Sequence, residues 1–295
     1  MIRLQVCRGG TMPYTLEDVT RLIEENMPSL SPTASKVIKL ANNINTPPAE
    51  LTQVIKLDPV LSAKVLKLVN SSYFSLSNQI VSLEKAVILL GLNTIKNLAL
   101  SAAVLAQMES GKAHKDFDSE AFWKHSLAVG VTAKLIAQKR GVEKKVIEDY
   151  FISGLLHDLG VLAEFSVFPE TVDRLLLAVE SVNLYDAEDL ILDGLTHCSI
   201  GHVLAQRWAL SEELSNVLLQ HHTPWDFDKP SELVLTVYIA NIICKKHGIG
   251  LIMGVPPFEP DERAFTSLSI TPSVENEILE VIEAEITKAM EFLKV

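Results

Sequence analysis

Apolar residues recur three and four positions apart along most of the chain, a spacing that places them on one face of an α-helix. The series Leu61, Val65 and Leu68 is typical. No segment shows a convincing β-strand alternation, so the pattern predicts an all-α protein. The predicted helices cover 15–26, 31–42, a segment from Thr46, 58–69, 82–91, a segment from 92, 119–140, 144–159, 168–182, 184–194, 199–208, 211–220, 231–246 and 273–293.

Local signals mark several of these helix starts. Asp58 precedes Pro59, which combines a capping side chain with a proline suited to the first helical position. Gly91 separates two apolar helices. The helices on either side of Asp58 form a pair that resembles a helix-turn-helix, and we expect Asp58 and Asn70 to act as cap and turn residues there.

Polar and glycine-rich stretches divide the chain. We expect an extended leader over 1–14, an N-terminal helical lobe over 15–110, a linker near 111–118, a second helical lobe over 119–246, and a C-terminal loop and helix over 247–295. The predicted architecture is a two-lobed helical bundle.

The most informative stretch is Phe-Ile-Ser-Gly-Leu-Leu-His-Asp-Leu-Gly at 151–160. It predicts a buried helix that ends by presenting His157 and Asp158, with Gly160 as its stop signal. Adjacent helical side chains point about 100° apart, so both turn to one partner only when that partner takes several ligands, as a metal ion does.

Further histidines recur in similar apolar contexts, and six of the eight in the chain lie between 125 and 222. His125, His197, His221 and His222 are the candidates to join the pair at 157–158. One interpretation is a site for one or two divalent ions, with iron, zinc, nickel or manganese suited to imidazole ligands. The other is an inherited constellation whose members hydrogen-bond to one another. His202 lies off the face of His197 and is expected to be structural.

Composition narrows the function classes. The formal charge of −11 argues against a broad nucleic-acid surface, including use of the helix-turn-helix-like pair for DNA. Three separated cysteines offer no disulfide framework, which suits a reducing cytoplasm. The apolar runs near 86–105 and 233–244 fall short of a membrane span. These features predict a cytoplasmic protein.

Several segments together resemble a known family. In the first half they are Met27-Pro-Ser-Leu-Ser-Pro, the run from Ile55-Lys-Leu-Asp-Pro to Asn70-Ser-Ser-Tyr-Phe, and Ile80-Val-Ser-Leu-Glu-Lys-Ala. In the second half they are Phe122-Trp-Lys-His-Ser, Gly154-Leu-Leu-His-Asp-Leu-Gly, His197-Cys-Ser-Ile-Gly and His221-His-Thr-Pro. Over about residues 15–245 the chain resembles the HDOD domain, a signalling-associated branch of the HD phosphohydrolase superfamily.

The resemblance implies an HD-like C-terminal lobe and assigns roles to residues. It implies that His125 is the first metal ligand, that His157 and Asp158 are the namesake pair with Asp158 able to bridge two ions, and that His197, His221 and His222 are later ligands. Asn241 stands where the superfamily places its last aspartate. A neutral amide there removes one negative charge from the site. Ala121 replaces a glutamate of some cyclic-dinucleotide-cleaving relatives, and their Gly-Tyr-Pro signature is absent after His222.

The resulting hypothesis is a bacterial, cytoplasmic HDOD module in signalling or regulation, with a degenerate HD site that retains the ability to bind metal and with a protein partner. The alternative is a metal-dependent phosphohydrolase acting on a nucleotide or cyclic dinucleotide, which would make a small nucleotide its ligand. No catalytic residue is assigned. The carboxylate missing at position 241 favours the interaction module.

Overall fold

The computed structural model describes residues 15–27, 29–43, 45–109, 117–249 and 260–290, and within these ranges it contains helices and no strand. The predicted all-α class is confirmed. The α-helices are α1 Leu16–Asn26, α2 Pro32–Asn42, α3 Pro48–Lys56, α4 Pro59–Val69, α5 Leu83–Leu90, α6 Leu92–Glu109, α7 Ser119–Lys139, α8 Ile147–Leu156, α9 Leu159–Val167, α10 Pro169–Ala178, α11 Leu184–Ile191, α12 His197–Arg207, α13 Glu212–Gln220, α14 Glu232–Lys246, α15 Glu262–Ser267 and α16 Pro272–Ala289, with a short 3-10 helix at Pro224–Asp226.

The helix starts follow the sequence signals. The Asp58 carboxylate accepts a hydrogen bond from the Leu61 backbone N–H at 2.9 Å, as expected of a cap. Asn70 exchanges two hydrogen bonds with the Ile80 backbone and so closes the turn after α4. Gly91 ends α5 with a φ of 86°, a left-handed conformation that suits glycine. These three local predictions are confirmed.

One apolar core runs through both predicted lobes, from Val19 in α1 to Ala289 at the end of α16. Helix α6 packs on α8, and α1 packs on α9 and α12. The division into lobes at 111–118 stays a prediction, because residues 110–116 lie outside the described ranges, as do the leader at 1–14 and most of the loop after 247.

One prediction about the central stretch is wrong. Gly160 does not end a helix: α8 ends at Leu156, and α9, which the sequence did not predict, begins at Leu159 and contains Gly160. A Cβ on Gly160 would lie 1.8 Å from the His197 carbonyl oxygen, so glycine is required for α12 to approach α9. Helix α15 was also not predicted.

A glycine pair brings α7 and α8 together. A Cβ added to Gly154 would lie 2.7 Å from the Cα atom of Gly130. The backbones of α7 and α8 are therefore nearly in contact, which sets the distance between His125 on α7 and the pair that follows α8. Close packing at Gly160 and at this glycine pair positions the histidine-bearing segments.

The stretch Ile147–Val167 is long and apolar enough, by composition, to cross a membrane. It consists of α8 and α9 with a turn between them, and 83% of its most apolar part is buried inside the protein. Its side chains from Phe151 to Leu159 include members of the core described above, and Val161 and Phe165 belong to a smaller apolar cluster with Phe117 and Phe122.

Candidate metal centre

Five structural elements bring the predicted site residues into one buried cluster. His125 comes from α7, and Asn241 comes from α14. The turn between α8 and α9 supplies His157 and Asp158. The start of α12 supplies His197, and the end of α13 supplies His221 and His222.

Asp158 lies at the centre of this cluster. Its Oδ2 atom is 3.1 Å from Nε2 of His157 and 3.8 Å from Nε2 of His125. Its Oδ1 atom is 3.1 Å from Nε2 of His221 and 3.4 Å from Nε2 of His197. One carboxylate is therefore surrounded by four imidazole rings, each of which turns the same nitrogen toward it.

The other nitrogen of each ring faces outward, to a group that only accepts hydrogen bonds. Nδ1 of His157 donates to the Gly154 carbonyl at 2.7 Å, and Nδ1 of His221 donates to the Val217 carbonyl at 3.1 Å. Nδ1 of His125 lies 3.3 Å from the Ile249 carbonyl, while that of His197 lies 2.7 Å from Glu188. A neutral ring held this way has its lone pair on the inward-facing Nε2.

Inward lone pairs need a positive partner. Nε2 of His197 and Nε2 of His221 are 3.3 Å apart, and the buried Nε2 of His157 has no partner in hydrogen-bonding geometry. Two facing lone pairs repel unless a proton or a metal ion lies between them. The side chains form two groups, and within each group the donor atoms lie within 4.8 Å of one another: His125, His157 and Asp158 in one, and His197, Cys198, His221 and His222 in the other. The donor set fits a divalent metal ion, and Oδ1 of Asp158 also approaches His197 and His221 of the second group.

Burial and charge act in opposite directions on these groups. Burial lowers the pKa of His125 to about 3 and also lowers the pKa of His157. Burial would lower the pKa of His221 too, but the Cys198 sulfur and the Asp158 carboxylate raise it to about 9. Burial alone would raise the pKa of Asp158, but the surrounding histidines hold it well below the usual range. The negative charge of the buried Asp158 carboxylate can therefore be balanced either by protons on the histidines or by a metal ion.

The remaining two candidates lie at the edge of this arrangement. Oδ1 of Asn241 is 3.2 Å from Nε2 of His125, where it faces the same space as the histidine nitrogens. The ring of His222 packs against the rings of His221 and Tyr185, with centroids 4.5 Å and 5.0 Å away. The structure therefore brings all seven predicted residues together, and their role as ligands stays a prediction.

His202 lies apart from the cluster. Nδ1 of His202 is 2.9 Å from the hydroxyl of Ser215, and Nε2 is 2.9 Å from the amide of Gln206. The side chain ties α12 to α13. These contacts support the structural role that its position on the helix predicted.

Two buried glutamates beside the cluster were not predicted. Both carboxylate oxygens of Glu188 lie within 2.8 Å of Nδ1 of His197, and one also accepts the His197 backbone N–H at 2.8 Å. Glu164 is fully buried, and burial together with the neighbouring Glu188 carboxylate raises its pKa well above the usual range. One signal was available: Leu184, Ala187 and Glu188 lie on one helix face, which puts a carboxylate in an apolar stripe.

A small cavity opens beside the cluster. Its volume is about 30 Å³, and its polar lining comes from His125, Asp158, His197, His222 and Lys245. Such a volume holds one or two water-sized species. The arrangement can accommodate an ion with a bound water.

A sequence comparison finds a relative that matches most of the chain. The chain is 28% identical over 270 residues to an uncharacterized protein of Treponema pallidum (strain Nichols), covering 90% of this chain and 51% of that protein. It therefore spans about half the length of this relative.

Solved structures show the same fold. An HDOD domain protein of unknown function from Geobacter sulfurreducens has a TM-score of 0.74 at 24% identity, covering 94% of this chain and 99% of its own. A candidate phosphohydrolase from Shewanella amazonensis SB2B has a TM-score of 0.73 at 20% identity, covering 96% and 100%. A candidate signal transduction protein from Marinobacter aquaeolei VT8 has a TM-score of 0.72 at 21% identity, covering 96% and 62%.

The family model for the HDOD domain matches residues 27–224, which is more than half of the chain and includes His125, the pair at 157–158, His197 and the pair at 221–222. The helices, the histidine cluster and this match agree. The chain belongs to the HDOD domain family.

Proposed function

We propose that this protein is a signalling or regulatory interaction module of the HDOD type, in which the histidine cluster binds a divalent metal ion without turning over nucleotides. The observation that carries the proposal is the size of the space at the cluster. Sites for small organic ligands enclose about 300–1,000 Å³. The cavity beside Asp158, of about 30 Å³, takes an ion and a water and excludes a nucleotide.

The charge of the site supports the same conclusion. Two-metal hydrolysis requires two ions about 3.5–4 Å apart that activate a water, and carboxylates usually balance their charge. Here Asp158 is the carboxylate that the predicted ligand set contains, and position 241 offers a neutral amide oxygen. A set dominated by imidazoles favours iron, zinc, nickel or manganese over magnesium or calcium. A bound ion would polarise its water, and the protein would contribute the orientation of the rings.

An exposed apolar patch on the N-terminal helices supports a protein partner. Leu57 and Ile88 are 76% and 80% exposed, and Val60, Val81 and Leu89 are exposed nearby in sequence. The patch lies where α3, α4 and α5 pack together. Large exposed aliphatic side chains grouped in this way mark interaction sites more often than isolated ones do. Every relative named above is bacterial, and we place this module in a bacterial cytoplasm.

A specific observation favours the alternative of a metal-dependent phosphohydrolase. Lys245 lines the cavity together with Asp158 and the histidines, and an ammonium group beside a metal site suits a phosphate ester. Two solved structures of this fold carry phosphohydrolase names. Under this alternative the cavity would widen to admit a nucleotide.

Elemental analysis and a hydrolysis assay on one preparation test the proposal. Protein purified without added metal should contain a transition-metal ion, and Asp158→Ala should lose it while keeping its helical circular dichroism. His202→Ala, which changes a histidine outside the cluster, should keep the ion. Neither nucleoside monophosphates nor cyclic dinucleotides should be hydrolysed above the metal-only background. Metal-stimulated hydrolysis that His157→Ala abolishes would establish the phosphohydrolase instead.

A further inference from the structure

A second cavity lies on the side of α8 that carries Asp149, Ile152 and Ser153, which precede the pair at 157–158 in the chain. Its volume is about 370 Å³, within the range of small-molecule sites. Helices α2 and α6 form one wall, and α8, α13 and the start of α14 form the other. The cavity therefore lies on the seam between the N-terminal and C-terminal helices, a usual position for ligand sites. We refer to it as the seam cavity.

Two opposite charges line the seam cavity and only partly balance each other. Lys96 on α6 and Asp149 on α8 make no ion pair with any described residue. Burial lowers the pKa of Lys96 and raises the pKa of Asp149, so both groups have lost part of their hydration. Asp149 accepts one hydrogen bond, from Asn97, and Lys96 and Asp149 act on each other without a direct ion pair. Partly dehydrated charges are costly, and a ligand that gives each of them a direct charged partner recovers part of that cost.

Three asparagines on α2 and α6 add hydrogen-bond acceptors to the wall that carries Lys96. Asn42 donates its amide N–H to the Ala209 carbonyl at 2.7 Å, and Asn93 donates to the Lys145 carbonyl at 3.1 Å. Asn97 donates to the Asp149 carboxylate at 2.6 Å. The two carbonyls and the Asp149 carboxylate accept hydrogen bonds and do not donate them. Each asparagine therefore turns its amide nitrogen to the opposite wall, and its amide oxygen stays available as an acceptor. All three bonds cross the seam.

The polar groups define the chemistry of a ligand. An anion is needed for the Lys96 ammonium, and a donor with positive charge is needed for the Asp149 carboxylate and the amide oxygens. A phosphate ester fits poorly, because one lysine faces Asp149 and the carboxylate of Glu213. A zwitterion with its two charges a few bonds apart satisfies both groups at once.

The rest of the lining is apolar. Leu100 comes from the N-terminal side, and Ile152, Leu214 and Leu233 come from the other. These side chains provide a surface for a hydrocarbon group next to the charged pair. We propose that the seam cavity binds a free α-amino acid with an apolar side chain, with its carboxylate on Lys96 and its ammonium on Asp149.

The proposal is tested on the full chain with the twenty proteinogenic L-amino acids, each at about 5 mM, by thermal shift. A ligand that binds the folded state alone stabilises it by RT ln(1 + [L]/Kd), so the melting temperature rises once the ligand concentration exceeds the dissociation constant. At least one apolar member should raise it, and calorimetry should then give its dissociation constant. If none of the twenty raises the melting temperature, the proposal is wrong.

Two derivatives of that amino acid separate the two contacts. The N-acetyl derivative removes the ammonium, and the amide derivative removes the carboxylate, and each should bind at least about 10-fold more weakly because a charge-assisted bond is lost. Lys96→Met should bind the amino acid at least about 10-fold more weakly and should no longer distinguish it from the amide. Asp149→Asn should also bind the amino acid at least about 10-fold more weakly, and it should no longer distinguish the amino acid from its N-acetyl derivative.

Matched controls come from exposed positions on other helices. Lys124→Met on α7 and Asp173→Asn on α10 make the same chemical changes away from the seam cavity. Both should bind the amino acid as the unmodified protein does. Equal binding of the amino acid and its two derivatives, or equal weakening by the control variants, would contradict the placement. Metal content does not enter this test, so its outcome is independent of the histidine cluster.

Discussion

Replacing Asn241 with Asp tests whether position 241 belongs to the shell of a metal ion. Oδ1 of Asn241 is 3.2 Å from Nε2 of His125, in the space that the inward histidine nitrogens share. A full negative charge about 4 Å from a dication is worth about 8 kcal/mol at an effective dielectric constant of 20. Part of this gain is lost, because burial beside Asp158 raises the pKa of the new carboxyl group and the ion must then displace its proton. The difference predicts metal binding tighter by about 10- to 100-fold, equivalent to about 1.4–2.7 kcal/mol.

The same substitution has the opposite effect on metal-free protein. With no ion present, the new carboxylate lies in a buried site that Asp158 already occupies, and like charges raise the energy of the folded state. The melting temperature of Asn241→Asp in EDTA should therefore fall below that of the unmodified protein. Adding zinc or manganese should reverse the order, because binding to the folded state alone stabilises it in proportion to the logarithm of the affinity.

Competition calorimetry with a chelator measures the affinities, and Asn241→Leu is the control. Leu has a similar size and no oxygen, so it should weaken binding where Asp strengthens it. If both variants bind metal within about 2-fold of the unmodified protein, position 241 lies outside the shell. If both weaken binding, packing at this position matters and its charge does not.

Three further predictions concern side chains around the cluster. Glu188→Gln should keep the fold and weaken metal binding by about 10- to 100-fold, because Glu188 holds His197 through Nδ1; unchanged affinity in calorimetry would remove it from the site. Metal-free protein should lose stability as the pH falls from about 6.5 toward 3, because the pKa of His125 is about 3 in the folded state and the unfolded chain therefore takes up the proton first. At pH 5 His125 should account for about 2 kcal/mol of the lost unfolding free energy. In urea titrations, the unfolding free energy of His125→Gln should fall correspondingly less with decreasing pH. Gly160→Ala should destabilise the protein by several kcal/mol in the same titrations, because its Cβ would meet the His197 carbonyl at 1.8 Å, whereas Gly141→Ala, which meets no atom within 4 Å, should cost only its backbone strain.

The sequence predicted the helices well where local chemistry decides them. Asp58, Asn70 and Gly91 each act through bonds or torsions within a few residues, so their roles follow from neighbours in the chain. Helix α9 was missed because Gly160 carries the usual signal for a helix end. A glycine signal for helix termination and one for close helix packing look the same in a sequence, and only the partner helix distinguishes them.

Glu188 shows where sequence reasoning stops for the site. Its position in an apolar stripe marks it as buried, but nothing within α11 identifies its partner. The partner is the first residue of α12, reached across a turn, and the pairing depends on how that helix packs on α9. Residues that touch a metal ion often have recognisable types, whereas the groups that orient them are ordinary side chains placed by packing.

The two glycine contacts explain how three of the four imidazoles, those of His125, His157 and His197, meet one carboxylate. Gly154 lets α8 approach α7 until a Cβ would lie 2.7 Å from Gly130, which fixes the pair at 157–158 relative to His125. Gly160 does the same for α9 and α12, which fixes that pair relative to His197. Contacts between backbones lack the rotamer freedom of side chains, so the distances around Asp158 vary little. If the cluster binds an ion as proposed, the ligand positions would be set beforehand, and the affinity would then depend on which protons the ion must displace.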